Sequence, residues 1–486
     1  MAINRNFIVK QGIQVGANAT CGNTWTSNDY ISDKQYVLSD SIIEYNFTRG
    51  TIDSNIQTRR LTLSTTVAAN GKIVIVAANT PRIEYSLLTG ECLGLVCEEQ
   101  RTNLSSFSDI EGAIGQQPRG MNTAGLVPDQ GPTVSADFWI GPNKQSARHV
   151  RGSTGGGDNN VGYLGLFVGN NNTTYTFSTY VYIPSTSSVN LCNISFETGT
   201  LTLSPNPTAS ANLQLRDQWQ RLTGTCLVTA GSGSGNFAVP VLRLDPIGAV
   251  VYTDCWQVEQ GEYASTWIPT ENVASATRTE EYSFIKVANN VITPQNLSVY
   301  VEGAPKWSAN VLLNTAITSG GTVNSNRGIL HIGSDIVPFT QFGGEPYYGY
   351  GIGTIAGNAT FALSWNSRGL INTTYGSATS GTALGTAINS AGYSTFIANT
   401  TVKIAAVVNT ALSRVGINGS QTSIDTNSNS TSLYQSIFET FPLNRIVLGL
   451  QYVGGVGPLP FGGHVKRFAL YPRLLSNTEI IALTET

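Results

Sequence analysis

Three histidines, a thin supply of carboxylates and one group of tyrosines are the side chains here that could do chemistry. Nucleophilic catalysis needs a base beside the nucleophile, and the histidines available for it are His149, His331 and His464. His149 alternates with two arginines in Ser146-Ala-Arg-His-Val-Arg151, which reads as an edge or surface strand. His331 lies in the apolar run Ile329–Ile332, where a hydrogen-bonded core histidine is usual, and His464 precedes the last strand, close to Lys466. No Gly-x-Ser-x-Gly turn accompanies any of them, and the zinc-protease, EF-hand and phosphate-loop patterns are absent. Glycan cleavage needs two carboxylates about 5 to 9.5 Å apart. From Lys306 to Arg445 the sequence offers Asp335, Glu345, Asp425 and Glu439, each in a different loop or strand. No Asp/Glu pair recurs at a fixed period. The chain is expected not to be an enzyme.

Binding of neutral sugars is better provided for. Sugars stack their C–H faces on aromatic rings while amides and hydroxyls satisfy their OH groups, and this sequence is rich in Asn, Ser, Thr, Tyr and Trp. The glycan-binding candidates are Tyr347, Tyr348 and Tyr350, in Pro346-Tyr-Tyr-Gly-Tyr-Gly351, together with Trp365. Three tyrosines in a Gly-bracketed loop are hard to bury together because each hydroxyl needs a partner. The alternative is that two of them pack on their own sandwich or on a neighbouring subunit. Trp219, at a strand start just after Asp217, reads as a core residue.

Only 12% of the 486 residues are charged, about half the usual share for a soluble domain. With a net charge of −3 and few Lys/Arg runs, there is no footprint for nucleic acid. A hydrophobic content of 41% argues against charge-driven disorder. The longest charge-free runs, such as 159–196 and 369–402, are broken every few residues by Asn, Ser, Thr or Gly, so no membrane span is expected. Met1–Lys10 lacks the apolar core of a signal peptide. The cysteines at 21, 92, 97, 192, 226 and 255 include no C-x-x-C pair and read as small buried hydrophobes in strands.

Those side chains must be carried by strands. Tyr175, Phe177, Val181 and Ile183 place an apolar face on one strand, with a mixed face opposite. Further strand runs are Lys72–Ala77, Phe237–Leu244, Val250–Val258, Thr401–Val408, Arg445–Tyr452 and Val465–Tyr471, separated by Gly/Ser/Asn/Pro clusters. Many strands at short spacing indicate β-sandwiches. One helix is expected, at the end, where Ser476-Asn-Thr-Glu479 has capping-box spacing ahead of Ile480, Ile481 and Leu483. The fold class is therefore all-β, with tandem β-sandwich (jelly-roll) domains. Four segments are drawn: 1–48; 49–105, a β-rich linker; 106–272, a jelly roll; and 273–486, a second sandwich. The few charges gather at the boundaries, Glu98–Arg101 and Arg278–Glu281.

Three stretches resemble a known family. Pro81-Arg-Ile-Glu-Tyr85 through Thr89-Gly-Glu-Cys-Leu-Gly94 to Glu98-Glu-Gln-Arg-Thr-Asn-Leu104 resembles a linker recurrent in bacteriophage virion proteins. Trp256-Gln-Val-Glu-Gln-Gly-Glu-Tyr-Ala-Ser-Thr-Trp-Ile-Pro-Thr270, then Ala276-Thr-Arg278, resembles the closing strand of the jelly roll that follows it, a module similar to carbohydrate-binding modules of the galactose-binding-like type. Val402–Val408, Val465–Pro472 and the terminal helix resemble a concanavalin/laminin-G-like sandwich. The opening Ile3–Lys10 also looks like the N-termini of structural proteins from marine and cyanobacterial phages. Together these cover roughly three quarters of the chain.

The resemblance implies a cyanophage-like tail fibre or tail-associated fibre, located in the virion, that contacts the host surface. Head- or collar-attached fibres share these modules, and a glycan-binding adhesin is a further alternative. Residues 1–48 would then be the attachment segment that contacts other virion proteins. Other partners would be further copies of the chain, usually as a homotrimer, and host surface glycans. The resemblance also implies that Trp256 and Trp267 are core residues. It allows a structural Ca2+ in 106–272, with Asp254 as the carboxylate to test beside loop carbonyls.

Overall fold

The computed structural model describes residues 37–119, 121, 131–152, 160–163, 167–198, 202–204, 208–230, 237–270, 273, 275–293, 296–307, 318–319, 322–323, 327–334, 349–355, 358–366, 398–408, 413–421, 442–453 and 457–485. They form an all-β protein of antiparallel sheets. Runs that alternate in the sequence become the strands Thr173–Tyr182, Phe237–Asp245, Val250–Gln260, Val402–Val408 and Gly463–Tyr471. The run Arg445–Tyr452 divides into Arg445–Leu448 and Leu450–Val453. Gly449 between them turns left-handed at φ 81°, and a Cβ there would stand 2.1 Å from that of Cys97. The terminal helix, Asn477–Thr484, has its capping box: Glu479 N–H donates to Ser476 Oγ and Ser476 N–H donates back to Glu479 Oε2. Its buried Ile480 and Leu483 pack with Tyr300, Ala405, Val407 and Tyr471 on the outside of a sheet.

That sheet runs in the order Ser420–Gln421, Ser413–Ile417, Val402–Val408, Leu297–Pro305, Gly463–Tyr471, Cys92–Cys97 and Ile83–Tyr85, with Ile43–Asn46 also paired to Gly463–Tyr471. A second sheet of the same sandwich runs Ile56–Arg59, Tyr282–Lys286, Arg445–Leu448, Gly328–Gly333, Gly349–Ile355 and Asn358–Asn366. Leu95, Val299, Val301, Ile329, Ile404, Ile446, Phe461 and Phe468 belong to its core. The segment drawn as a linker therefore does not stand apart. Its strands Ile56–Arg59, Ile83–Tyr85 and Cys92–Cys97 belong to the two sheets of the sandwich drawn at 273–486.

The jelly roll is inserted between the early strands of that sandwich and the later ones. The chain leaves through Arg101–Asn103 and returns through Ala276–Arg278, and these two short strands pair with each other as a neck. One jelly-roll sheet runs Thr202–Ser204, Trp219–Ala230, Thr173–Tyr182, Val250–Gln260, Ser146–Val150 and Thr133–Ser135. The other contains Asn160–Tyr163, Phe237–Asp245, Leu191–Thr198 and Ala209–Ser210, with Phe167–Val168. Tyr175, Phe177, Val181, Trp256 and Val258 face the core between them. The opposite face of Thr173–Tyr182 is buried as well, because a hairpin from the early segment, Ser64–Val67 with Ile73–Val76, lays Val67 and Ile73 near Tyr180, Tyr182 and Trp267. At about 1.5–3 kcal/mol per fully buried large apolar side chain, these cores supply most of the folding free energy. The charged groups decide how the pieces fit.

Candidate functional site

The sparse charges converge. Glu98 lies at the end of Cys92–Cys97 and is reached from four directions. Its Oε2 is 3.0 Å from Arg82 Nη2 and 3.1 Å from Arg278 Nη1, and its Oε1 is 2.9 Å from Lys306 Nζ. Thr266, at the end of the jelly roll, donates its N–H at 2.8 Å and its hydroxyl at 2.6 Å. Arg82 and Arg60 both pair with Glu281, and the side chains of Arg60, Arg82, Glu98, Arg278 and Glu281 have no exposed surface. Burial alone would raise the pKa of Glu98, yet Arg278, Lys306 and Arg82 outweigh it and hold the carboxyl well below the usual range. Lys306 continues to Glu84 at 3.2 Å, and Glu84 accepts from His464 Nε2 at 2.6 Å.

Glu99 serves a second cluster. It pairs with Arg101 and Arg327, whose guanidinium carbons lie 4.7 and 5.9 Å from the Tyr263 ring. Burial would raise Glu99, but the two arginines hold it down at about 2. The hub thus joins the early segment (Arg60, Arg82, Glu98, Glu99), the jelly-roll exit (Tyr263, Thr266), the neck (Arg101, Arg278) and the C-terminal sandwich (Lys306, Arg327, His464).

The calcium expectation at Asp254 is tested by its surroundings. Asp254 Oδ2 accepts the N–H groups of Ile140 at 3.1 Å and Gly141 at 2.8 Å, and Oδ1 accepts that of Cys255 at 2.8 Å. Its neighbours are Asp109 and the Cys255 thiol, with ligating atoms of all three residues within 4.8 Å of one another. Burial raises the pKa of both carboxyl groups. Asp109 is pushed further by the adjacent Asp254, while the three N–H donors restrain Asp254. Calcium takes six to eight oxygen ligands. Two carboxylates and a sulfur do not supply that set of oxygens.

A bulge creates this cluster. Strand Val250–Gln260 pairs Gln257 with Ser178 and Asp254 with Tyr180, so Cys255 and Trp256 together oppose Thr179. Cys255 sits there at φ 53°, outside the ordinary strand region. In a regular strand Asp254 and Cys255 would point to opposite faces. The sequence named Asp254 but gave no sign of the bulge, and so missed Asp109 and Cys255.

The other candidates fall as follows. Tyr347 and Tyr348 lie outside the described residues, as do Asp335, Glu345, Asp425 and Glu439. Tyr350 and Trp365 lie on neighbouring strands and are directly opposed in register. His149 is not at a surface: it is fully buried, with Nδ1 3.3 Å from the Val161 carbonyl and Nε2 2.8 Å from the Thr253 hydroxyl. Its strand lies between two others, and His149 shares the face of Ala147, which belongs to the jelly-roll core. His331 and His464 are buried, as are Trp219, Trp256 and Trp267. Cys97, Cys192, Cys226 and Cys255 are buried free thiols, Cys92 is half-buried, and all five are on strands. Among the described residues no helix is long and apolar enough to cross a membrane.

The chain is an all-β protein of β-sandwich domains. No family model matches it. No curated protein matches it either. Among solved structures it is similar to domain 4 of AbnA, a GH43 extracellular arabinanase from Geobacillus stearothermophilus, in complex with arabinotriose. That match has 13% identity and a TM-score of 0.26 over 42% of this chain and 73% of the other. It is also similar to the N-terminal CBM22-1–CBM22-2 tandem domain of Xyn10C from Paenibacillus barcinonensis, with 10% identity and a TM-score of 0.21 over 77% of this chain and 97% of the other.

Proposed function

We propose that this chain is a structural protein of a bacteriophage virion, a homotrimeric tail fibre or tail-associated fibre whose sandwiches stand between the particle and the host surface. The observation that carries the reading is the hub. Arg82 and Glu98 of the linker resemblance and Arg278 of its closing partner are ion-paired in the interior. A fibre must keep its domains in a constant relation, and hydrogen-bonded buried ions specify geometry more than they add stability. The low overall charge supports packing between copies, since charged residues are depleted at interface cores. The reading assigns no catalytic role, and a head- or collar-attached position would use the same architecture.

The test is incorporation into particles. Deleting 1–48 would also remove Ile43–Asn46 and the buried Phe47, which belong to the C-terminal sandwich. Deleting 1–36 instead leaves the described strands intact. The shortened chain is expected to stay a folded oligomer and to be missing from purified particles. Normal incorporation would refute the anchoring role, and a full-length chain absent from purified particles would refute the virion reading.

A second reading, a glycan-binding adhesin, is favoured by the opposed register of Tyr350 and Trp365. On a glycan array, signal from host polysaccharide that is lost in Tyr348→Ala and Trp365→Ala would support it. No signal from the full-length chain would end it.

A further inference from the structure

We propose that Asp109, Asp254 and Cys255 form a binding site for one thiophilic divalent cation of the zinc class, held by two carboxylates and a thiolate. The proposal goes beyond the virion reading and does not depend on it.

Four observations meet at this place. The three donors converge although they come from a loop and from two consecutive strand residues. Their convergence requires a bulge with a non-glycine residue in the left-handed region, a strained conformation that persists where the surroundings impose it. Asp109 is 2% exposed, yet its Oδ1 has no hydrogen-bond partner, and an unsatisfied buried polar atom of this kind calls for an explanation such as an ion. Finally, the backbone opposite is a glycine: a Cβ at Gly141 would stand 2.9 Å from both Asp109 Oδ1 and Cys255 Sγ and 3.1 Å from Asp254 Oδ2, so no larger residue fits beside the three atoms.

The donor set chooses the ion. Thiolate ligands select zinc and other soft or borderline ions over calcium and magnesium, and Cys with Asp is an ordinary zinc combination. Two carboxylates and a thiolate around a dication leave one negative charge, and the Lys72 ammonium interacts electrostatically with Asp254. Because Asp254 and Cys255 are fully buried, the cation would enter as the chain folds, displacing the thiol proton to water. It would tie Asp109, just past the neck, to the central strand Val250–Gln260.

The experiment refolds the full chain, stripped with a chelator, in Zn2+, Co2+ or Ca2+, followed by gel filtration and elemental analysis. The expected result is one retained zinc per chain, no retained calcium, and a sulfur-to-cobalt charge-transfer band in the cobalt form. Cys255→Ser should abolish the band, and the near-isosteric Asp109→Asn should weaken zinc binding by about tenfold or more. No retained metal, retention of calcium instead of zinc, or a band unchanged in Cys255→Ser would overturn the proposal. If Cys255→Ser does not fold, wild-type zinc affinity in Asp109→Asn overturns it alone.

Discussion

Arg278 Nη1 lies 3.1 Å from Glu98 Oε2 with neither side chain exposed; Glu98 comes just before the neck through which the chain enters the jelly roll, and Arg278 ends the strand by which it leaves. The pair ties the neck to the end of Cys92–Cys97. Desolvating such ions costs several kcal/mol each, so the cluster is a poor source of net stability. Its ions are paired only when all the segments are in place, so it is expected to select that arrangement.

Removing one member should therefore cost more than the intact pair contributes. Glu281→Gln leaves Arg60 and Arg82 buried with their shared carboxylate neutralised, and is expected to lower the unfolding free energy by about 3–5 kcal/mol. The double variant Arg82→Leu/Glu281→Leu should lose much less than the sum of its single variants. Urea unfolding measures both, and additive losses would contradict the coupling.

His149 makes a pH-dependent contribution. Burial lowers its pKa to about 4, against about 6.5 when unfolded. The folded state thus favours the neutral ring, so the contribution is complete above about pH 6.5 and is lost as pH falls toward 4. The loss amounts to about 1.4 kcal/mol per unit, or about 3 kcal/mol across the window. Subtracting the pH profile of His149→Gln removes the effect of the other titrating groups. A flat difference between about pH 7 and 4.5 would contradict the assignment.

Gly94 and Gly90 provide a matched pair. Both have positive φ, at 118° and 71°, but a Cβ at Gly94 would stand 2.6 Å from the Val465 carbonyl oxygen, whereas one at Gly90 meets nothing within 4 Å. Gly90→Ala should cost about 1 kcal/mol, the conformational penalty alone. Gly94→Ala should cost roughly 2 kcal/mol more, because it also pushes Cys92–Cys97 away from Gly463–Tyr471. Equal shifts in the denaturant midpoint would show that this strand pairing is looser than described.

Much of the fold was legible in the sequence because alternation and turn residues are local signals. Thr173–Tyr182, Val402–Val408 and the helix capped by Ser476 could be read directly. The boundary charges were legible as a pattern but not as a hub, since ion pairing depends on which segments fold back together. Nothing local in Ile83–Tyr85 or Cys92–Cys97 says that they join a sheet whose central strands lie hundreds of residues later. The bulge at Cys255 was hidden for a different reason, since a left-handed cysteine has no sequence signature. His149 was read as exposed because its arginine neighbours suggested a surface, yet its period-2 partner Ala147 is a core residue and the two share the inward face.

The hub is tested most directly by calorimetry on the wild-type chain and on Glu98→Ala. If Glu98 joins the jelly roll to the C-terminal sandwich, the wild type unfolds in one cooperative transition. The variant then separates into two, with the sandwich carrying Lys306 and His464 melting at its own temperature. Two independent transitions already present in the wild type, or one unshifted transition in the variant, would contradict the account.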